Sequence, residues 1–124
     1  MKYMMLIKHT DDYRGKRPPQ ALMDAMDEFI GGYAAQGKFL DGAGLKSSHR
    51  GKRVRLHDGQ LTVIDGPFAE TKELVGGFAI MDFDSDEEAF DAATKFMELH
   101  RLHWPEFEGE SEVRPFEEGE PGSE

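Results

Sequence analysis

Two ionisable side chains stand where apolar runs meet turns, and they are the sequence's first candidates for acid–base chemistry. His9 closes the run Tyr3-Met4-Met5-Leu6-Ile7 after Lys8. In an extended strand it falls on the same face as Tyr3, Met5 and Ile7. A histidine at a strand end beside a loop can serve as a general base, or it can be a hydrogen-bonded residue at the edge of the core. Asp65 opens the turn Asp65-Gly66-Pro67-Phe68. A carboxylate there can act as a base or anchor a ligand. It can equally accept hydrogen bonds from the turn's own backbone, as Asp before Gly-Pro does. If His9 and Asp65 face each other, they form a base with its orienting acid.

The residues around that turn have alternatives of the same kind. Gly66 and Pro67 shape the backbone, and Phe68 either plugs the core or stacks on a ligand. Glu70, Lys72 and Glu73 either line a polar pocket, with Lys72 pairing an anionic substrate, or form a solvated surface run. Arg53 and Arg55 can grip an anion or lie on an exposed hairpin face. His100 and His103 are spaced i, i+3 and share a helix face. That spacing occurs in metal sites, with Glu106 or a partner subunit as a further ligand, but no complete ligand set or HExxH is present. Packing beside Trp104 at a helix end is the plainer account, and imidazole also suits the helix dipole there. Two histidines without further ligands do not make a metal site, and no GxGxxG, Walker or GxSxG pattern points to a cofactor, so an enzyme here works with side chains alone or with an unrecognised metal.

The wider composition narrows the classes. The 124 residues contain no cysteine, which excludes disulfides and thiolate chemistry. The net charge is −10, which disfavours nucleic acid. Eight acidic residues and one basic residue lie between Pro105 and Glu124, so the body is only mildly acidic. No apolar run is long enough to span a bilayer, and the short N-terminal run lacks a cleavage pattern. The expectation is one soluble, cytoplasmic domain over residues 1–118 with a frayed acidic tail at 119–124.

The elements that must position these residues follow from periodicity. Tyr3–Ile7 reads as a strand buried on both faces. Pro18-Pro19 opens a helix whose apolar face carries Leu22, Met26, Phe29, Ile30 and Tyr33, and Gly37 ends it. Phe39–Leu45 is a strand in which Gly42 and Gly44 signal a bulge or close approach. Val54–Leu56 and Leu61–Ile64 flank Asp58-Gly59, a hairpin that pairs Val54 with Val63 and Leu56 with Leu61 on one half-buried face. Gly76–Phe83 is a strand. Ser85 and Glu88 form a capping box for a helix carrying Ala89, Phe90, Ala93, Phe96 and Met97 and stopped by Pro105. Val113–Phe116 is a last strand. Met4, Met5, Met23, Met26 and Met97 are read as core gap-fillers. The order β-α-β-(hairpin)-β-α-β is a ferredoxin-like α+β pattern with an inserted hairpin. Two helices cover one sheet face only, so apolar residues on the other, Met5 or Met4 and Ala79 or Met81 among them, call for a second copy.

The segment DGPFAETKELVGGF at Asp65–Phe78, with the opening MKYMMLIKH, the hairpin and the closing EVRPFEE, resembles the DGPF branch of the YCII-related proteins over essentially the whole chain. The resemblance implies a ferredoxin-like subunit paired into a dimeric α/β barrel, a homodimer with a cleft on the sheet. That architecture also serves muconolactone isomerases and cofactor-free monooxygenases, and members are often encoded beside or fused to extracytoplasmic-function sigma factors. Fold alone does not carry function, but the resemblance together with His9 and Asp65 near strand ends motivates the expectation of a small-molecule enzyme of the isomerase or cofactor-free oxygenase kind. The alternative is a non-catalytic ligand-binding or accessory protein with a sigma-factor partner, and beyond that a structural dimer without a ligand. In the YciI branch a histidine near the start of the first helix is proposed to work with an aspartate. Gln20 stands there in this chain and cannot shuttle a proton, so that dyad is not carried over.

Overall fold

The computed structural model describes residues 1–9, 17–68 and 74–117. The elements run β1 (Lys2–His9), α1 (Gln20–Ala35), β2 (Phe39–Gly44), a single 3-10 turn (Ser48–Arg50), β3 (Lys52–His57), β4 (Gln60–Asp65), β5 (Leu74–Asp82), α2 (Asp86–His103) and β6 (Gly109–Pro115). Four strands form an antiparallel sheet in the order β2-β5-β1-β6, and β3-β4 form a separate two-stranded sheet. This is an α+β arrangement compatible with a ferredoxin-like fold.

Local chemistry sets the helix limits. Pro19 is the N-cap of α1, and Gly37, with φ of 73°, lets the chain leave it. Ser85 Oγ accepts from the Glu88 amide at 3.2 Å, one half of the expected capping box, while the Glu88 carboxylate pairs with Lys38 instead. Such a cap contributes about 1 kcal/mol. Asp86, Glu87 and Glu88 sit in the first turn of α2 and His100, Arg101 and His103 in the last, each sign where the helix dipole favours it.

The sheet presents Tyr3, Met5, Met81 and Phe83 to α2, which answers with Ala89, Ala92 and Ala93. Small residues on the helix let it lie close to the large side chains of the strands. Tyr3 is fully enclosed, and its hydroxyl donates to Asp86 Oδ1 at 2.6 Å. Alternation then resolves which apolar residues are left on the far side: Met4 opposite Ile80 and Leu6 opposite Phe78, all half-buried. Met5, Ala79 and Met81 belong to the helix side. The expected burial of β1 on both faces is therefore met by this chain on one face only.

Three other readings shift. β6 begins at Gly109 rather than Val113, because β1 supplies partners for the polar run from Gly109 to Glu112, which carries no apolar signal. Of the two readings of the β2 glycines, the bulge lies elsewhere, between Phe39 and Asp41, whereas the close approach is met at Gly42, where a Cβ would lie 2.7 Å from the Phe78 carbonyl oxygen. The hairpin has the expected register, with positive φ at both Asp58 and Gly59, but its apolar face is open. Val54, Leu56, Leu61 and Val63 are 62–71% exposed, so nothing within the described chain half-buries them. Among the described residues no helix is long and apolar enough to cross a membrane.

Candidate functional site

The cleft that holds most of the candidate side chains begins with a register fault. Ile7 pairs with Gly77 and Lys8 with Val75, so Gly76 is an extra residue in β5. Such bulges redirect strands beside functional sites. A Cβ at Gly76 would lie 2.8 Å from His9 Cδ2 and 2.9 Å from Nε2, so the imidazole rests against bare backbone. His9 in turn pairs with Leu74 and Gly109, at the end of the sheet where β1 stops and β5 and β6 begin.

There the helix side of the sheet and the two helices enclose a cleft of about 1020 Å³. That is the upper end of the volume of small-molecule sites. Its walls are largely apolar, with Phe29, Ile30, Phe39, Phe96, Trp104 and Phe107 among them. Among its described lining residues are three cations, Lys46, Arg50 and Arg53, against one carboxylate, Asp27. Lys46 and Arg50 have no ion pair among the described residues. Arg53 lies with Cζ 3.9 Å from the centroid of the Phe68 ring, a cation–π contact. The reading of Arg53 as part of an exposed hairpin face is corrected: it is half-buried and lines the cleft.

The turn after β4 clamps the cation-bearing segment. The Gly66 amide donates to the Gly51 carbonyl at 3.0 Å, and the Phe68 amide donates to Ser48 Oγ at 3.2 Å. The Leu45 amide reaches Gly76 O at 2.8 Å from the other side. Gly66–Pro67 is a cis peptide bond. Phe68 lines the cleft, whereas Gly66 and Pro67 act through the backbone path. Asp65 is 74% exposed and pairs with Lys52 at 3.1 Å. It is not among the cleft's described lining residues. The structure thus brings His9 and Phe68 to the cleft and places Asp65 in solvent. Glu70, Lys72 and Glu73 lie outside the described residues.

His100 is buried among the described residues, with 6% of its surface exposed. Its Nδ1 lies 3.0 Å from the Phe96 carbonyl, and its ring contacts Phe96 and Phe107 with centroids 5.1 and 4.8 Å away. His103 is half-buried, and no group of three metal-ligating side chains forms among the described residues. Burial pushes the His100 imidazole below its ordinary value, partly opposed by the hydrogen bond to Phe96. The unfolded chain then takes up a proton near pH 6.5 that the folded chain resists. His100 therefore contributes stability that is fully present above that pH and is lost as pH falls through the lower folded value. The unfolding free energy of wild type minus that of His100→Phe should be flat above about pH 7 and shrink on acidification. Denaturant titrations at several pH values check this, and a constant difference would exclude a burial-shifted imidazole.

Residues 1–96 match the YCII-related domain family. A protein of Rhizobium meliloti (strain 1021), described as uncharacterized, is 36% identical over 90 residues, covering 73% of this chain and 68% of the relative. The family match takes in His9, the cation-bearing loop and the clamping turn, and it ends four residues short of His100. With 96 of its 124 residues matched, the chain belongs to the YCII-related domain family.

Proposed function

We propose that the cleft binds a small, mainly apolar carboxylic acid and that the protein moves a proton on it, as an isomerase does. The observation that supports this reading is the charge of the lining: among its described residues three cations and one carboxylate line an apolar cleft in a chain of net charge −10. An acidic protein that gathers cations at one opening concentrates small anions there. Lys46 and Arg50 hold the carboxylate, Arg53 is braced on Phe68, and the aromatic wall takes the apolar body. His9, at the strand end beside Gly76, accepts a proton from one carbon and returns it to another, so the ligand is rearranged without net loss of atoms or electrons.

Trp104 is the only tryptophan and lines the cleft, so its fluorescence reports binding. 3-Phenylpropionate should bind about tenfold more tightly than the neutral 3-phenylpropan-1-ol at low salt. Lys46→Ala with Arg50→Ala should erase that preference. Equal binding of acid and alcohol would overturn the anion reading. Deuterium uptake from heavy water beside the carboxylate of an unsaturated analogue, lost in His9→Ala, tests the proton transfer. Binding without uptake would favour a sensing role.

We further propose that the working form is a homodimer. Met4, Leu6, Phe78 and Ile80 form an apolar centre on the uncovered sheet face, rimmed by Lys2, Lys8 and Arg114 and by Asp82 and Glu112. A rim carrying both signs suits a two-fold contact, in which each surface meets its own copy. The open face of the hairpin adds a second apolar surface on the same chain.

A further inference from the structure

His100 belongs to a wall of the cleft that the reading above leaves without a role. Its Nδ1 approaches a backbone carbonyl, which can only accept, so Nδ1 carries the ring proton. In the neutral ring Nε2 is then a bare acceptor. The His100 ring makes no other hydrogen bond among the described residues. Among those residues Ser111 Oγ is the one fully enclosed side-chain polar atom without a partner. Nε2 is therefore not sealed in, and His100 is one of the residues that line the cleft. Phe96 and Phe107 flank the ring, and Trp104 stacks on Phe107 with centroids 5.3 Å apart. An acceptor left open in an aromatic box discriminates strongly, because only a ligand donor can satisfy it once water is displaced.

The loop with Lys46 and Arg50 follows β2 and is tied to β5 by the Leu45 amide, whereas His100 lies on α2, which packs against β6. β5 and β1 lie between, so the two groups address different ends of a ligand.

We propose that His100 Nε2 accepts a hydrogen bond from a hydroxyl at the end of the ligand remote from its carboxylate, which makes the preferred ligand class hydroxyaryl acids. This rests on the carboxylic-acid reading of the cleft and narrows it. Trp104 fluorescence titrations with 3-phenylpropionate and 3-(4-hydroxyphenyl)propionate separate the two. Wild type should favour the hydroxylated acid about tenfold. His100→Phe, which keeps the ring shape but removes the acceptor, should abolish that preference, bringing the two affinities within about threefold of each other. His100→Gln, whose amide oxygen can take the place of Nε2, should restore part of it. If wild type binds both acids equally, the hydroxyl inference is overturned and the carboxylic-acid reading stands. A preference that persists in His100→Phe overturns it too. If neither acid binds, both readings fall.

Discussion

Gly66→Ala is expected to destabilise the protein by about 3 kcal/mol, the upper part of the range for overpacking a tight site. A Cβ built at Gly66 would lie 1.8 Å from the Ser48 carbonyl oxygen and 2.7 Å from its carbon. The obstacle is backbone, so no side-chain rotation relieves it. One of the two segments must move, and with it go the bonds from the Gly66 amide to Gly51 and from the Phe68 amide to Ser48 Oγ. Asp65→Ala, one residue earlier, should cost under about 1 kcal/mol, because exposed ion pairs contribute little. Urea unfolding of the two variants beside wild type checks the contrast, with the midpoint read at constant slope. The clamped loop also carries Lys46 and Arg50, so Gly66→Ala should weaken 3-phenylpropionate binding as well. A Gly66→Ala protein with wild-type stability would show that the turn does not hold the loop. A large loss from Asp65→Ala would show that the carboxylate, rather than the glycine, fixes the turn.

That contrast bears on what the sequence makes legible. Regular elements were readable because burial writes a period into the chain: the hairpin register followed from Val54, Leu56, Leu61 and Val63 around Asp58-Gly59, and the α2 cap from Ser85 and Glu88. The open sheet face was foreseeable from counting helices against faces, but alternation alone could not say whether Met4 or Met5 lay on it. That needed the side on which α2 docks, which is a tertiary fact. His100 carried a signal that metal spacing with His103 obscured. Ala89, Ala93, Phe96 and His100 advance by four, three and four residues, one continuous helix stripe. Three of them line the core or the cleft, so the fourth had to be buried as well. Lys46 and Arg50 carried no signal, since a loop has no period and their placement depends on a clamp twenty residues downstream. Asp65 is an ionisable group in a distinctive turn, and the sequence alone does not separate a turn-forming carboxylate from a reactive one. The structural demand in that turn falls on its neighbour, a glycine with no side chain.

The hairpin supplies the other large expected effect. Leu56→Lys with Leu61→Lys should convert a dimer into a monomer with little change in the fold of each chain. Both side chains point away from the described protein, at 69% and 71% exposure, and they face each other across the hairpin. Within one chain the substitutions remove a single cross-strand pair, worth roughly 0.2–1 kcal/mol, and oppose two like charges on a two-stranded ribbon. Between chains they would put two charges per copy into an apolar contact, which docking cannot tolerate without solvation. Light scattering during gel filtration should give the mass of two chains for wild type and of one for the variant. The thermal midpoint should rise with concentration in wild type alone. Leu6→Lys on the open sheet face distinguishes the surfaces. If both changes dissociate the dimer, hairpin and sheet belong to one interface. If Leu6→Lys alone does so, the sheet carries the dimer and the hairpin face has another occupant. A wild-type protein that remains monomeric at high concentration would remove the second copy from the account and leave both apolar surfaces to a different partner.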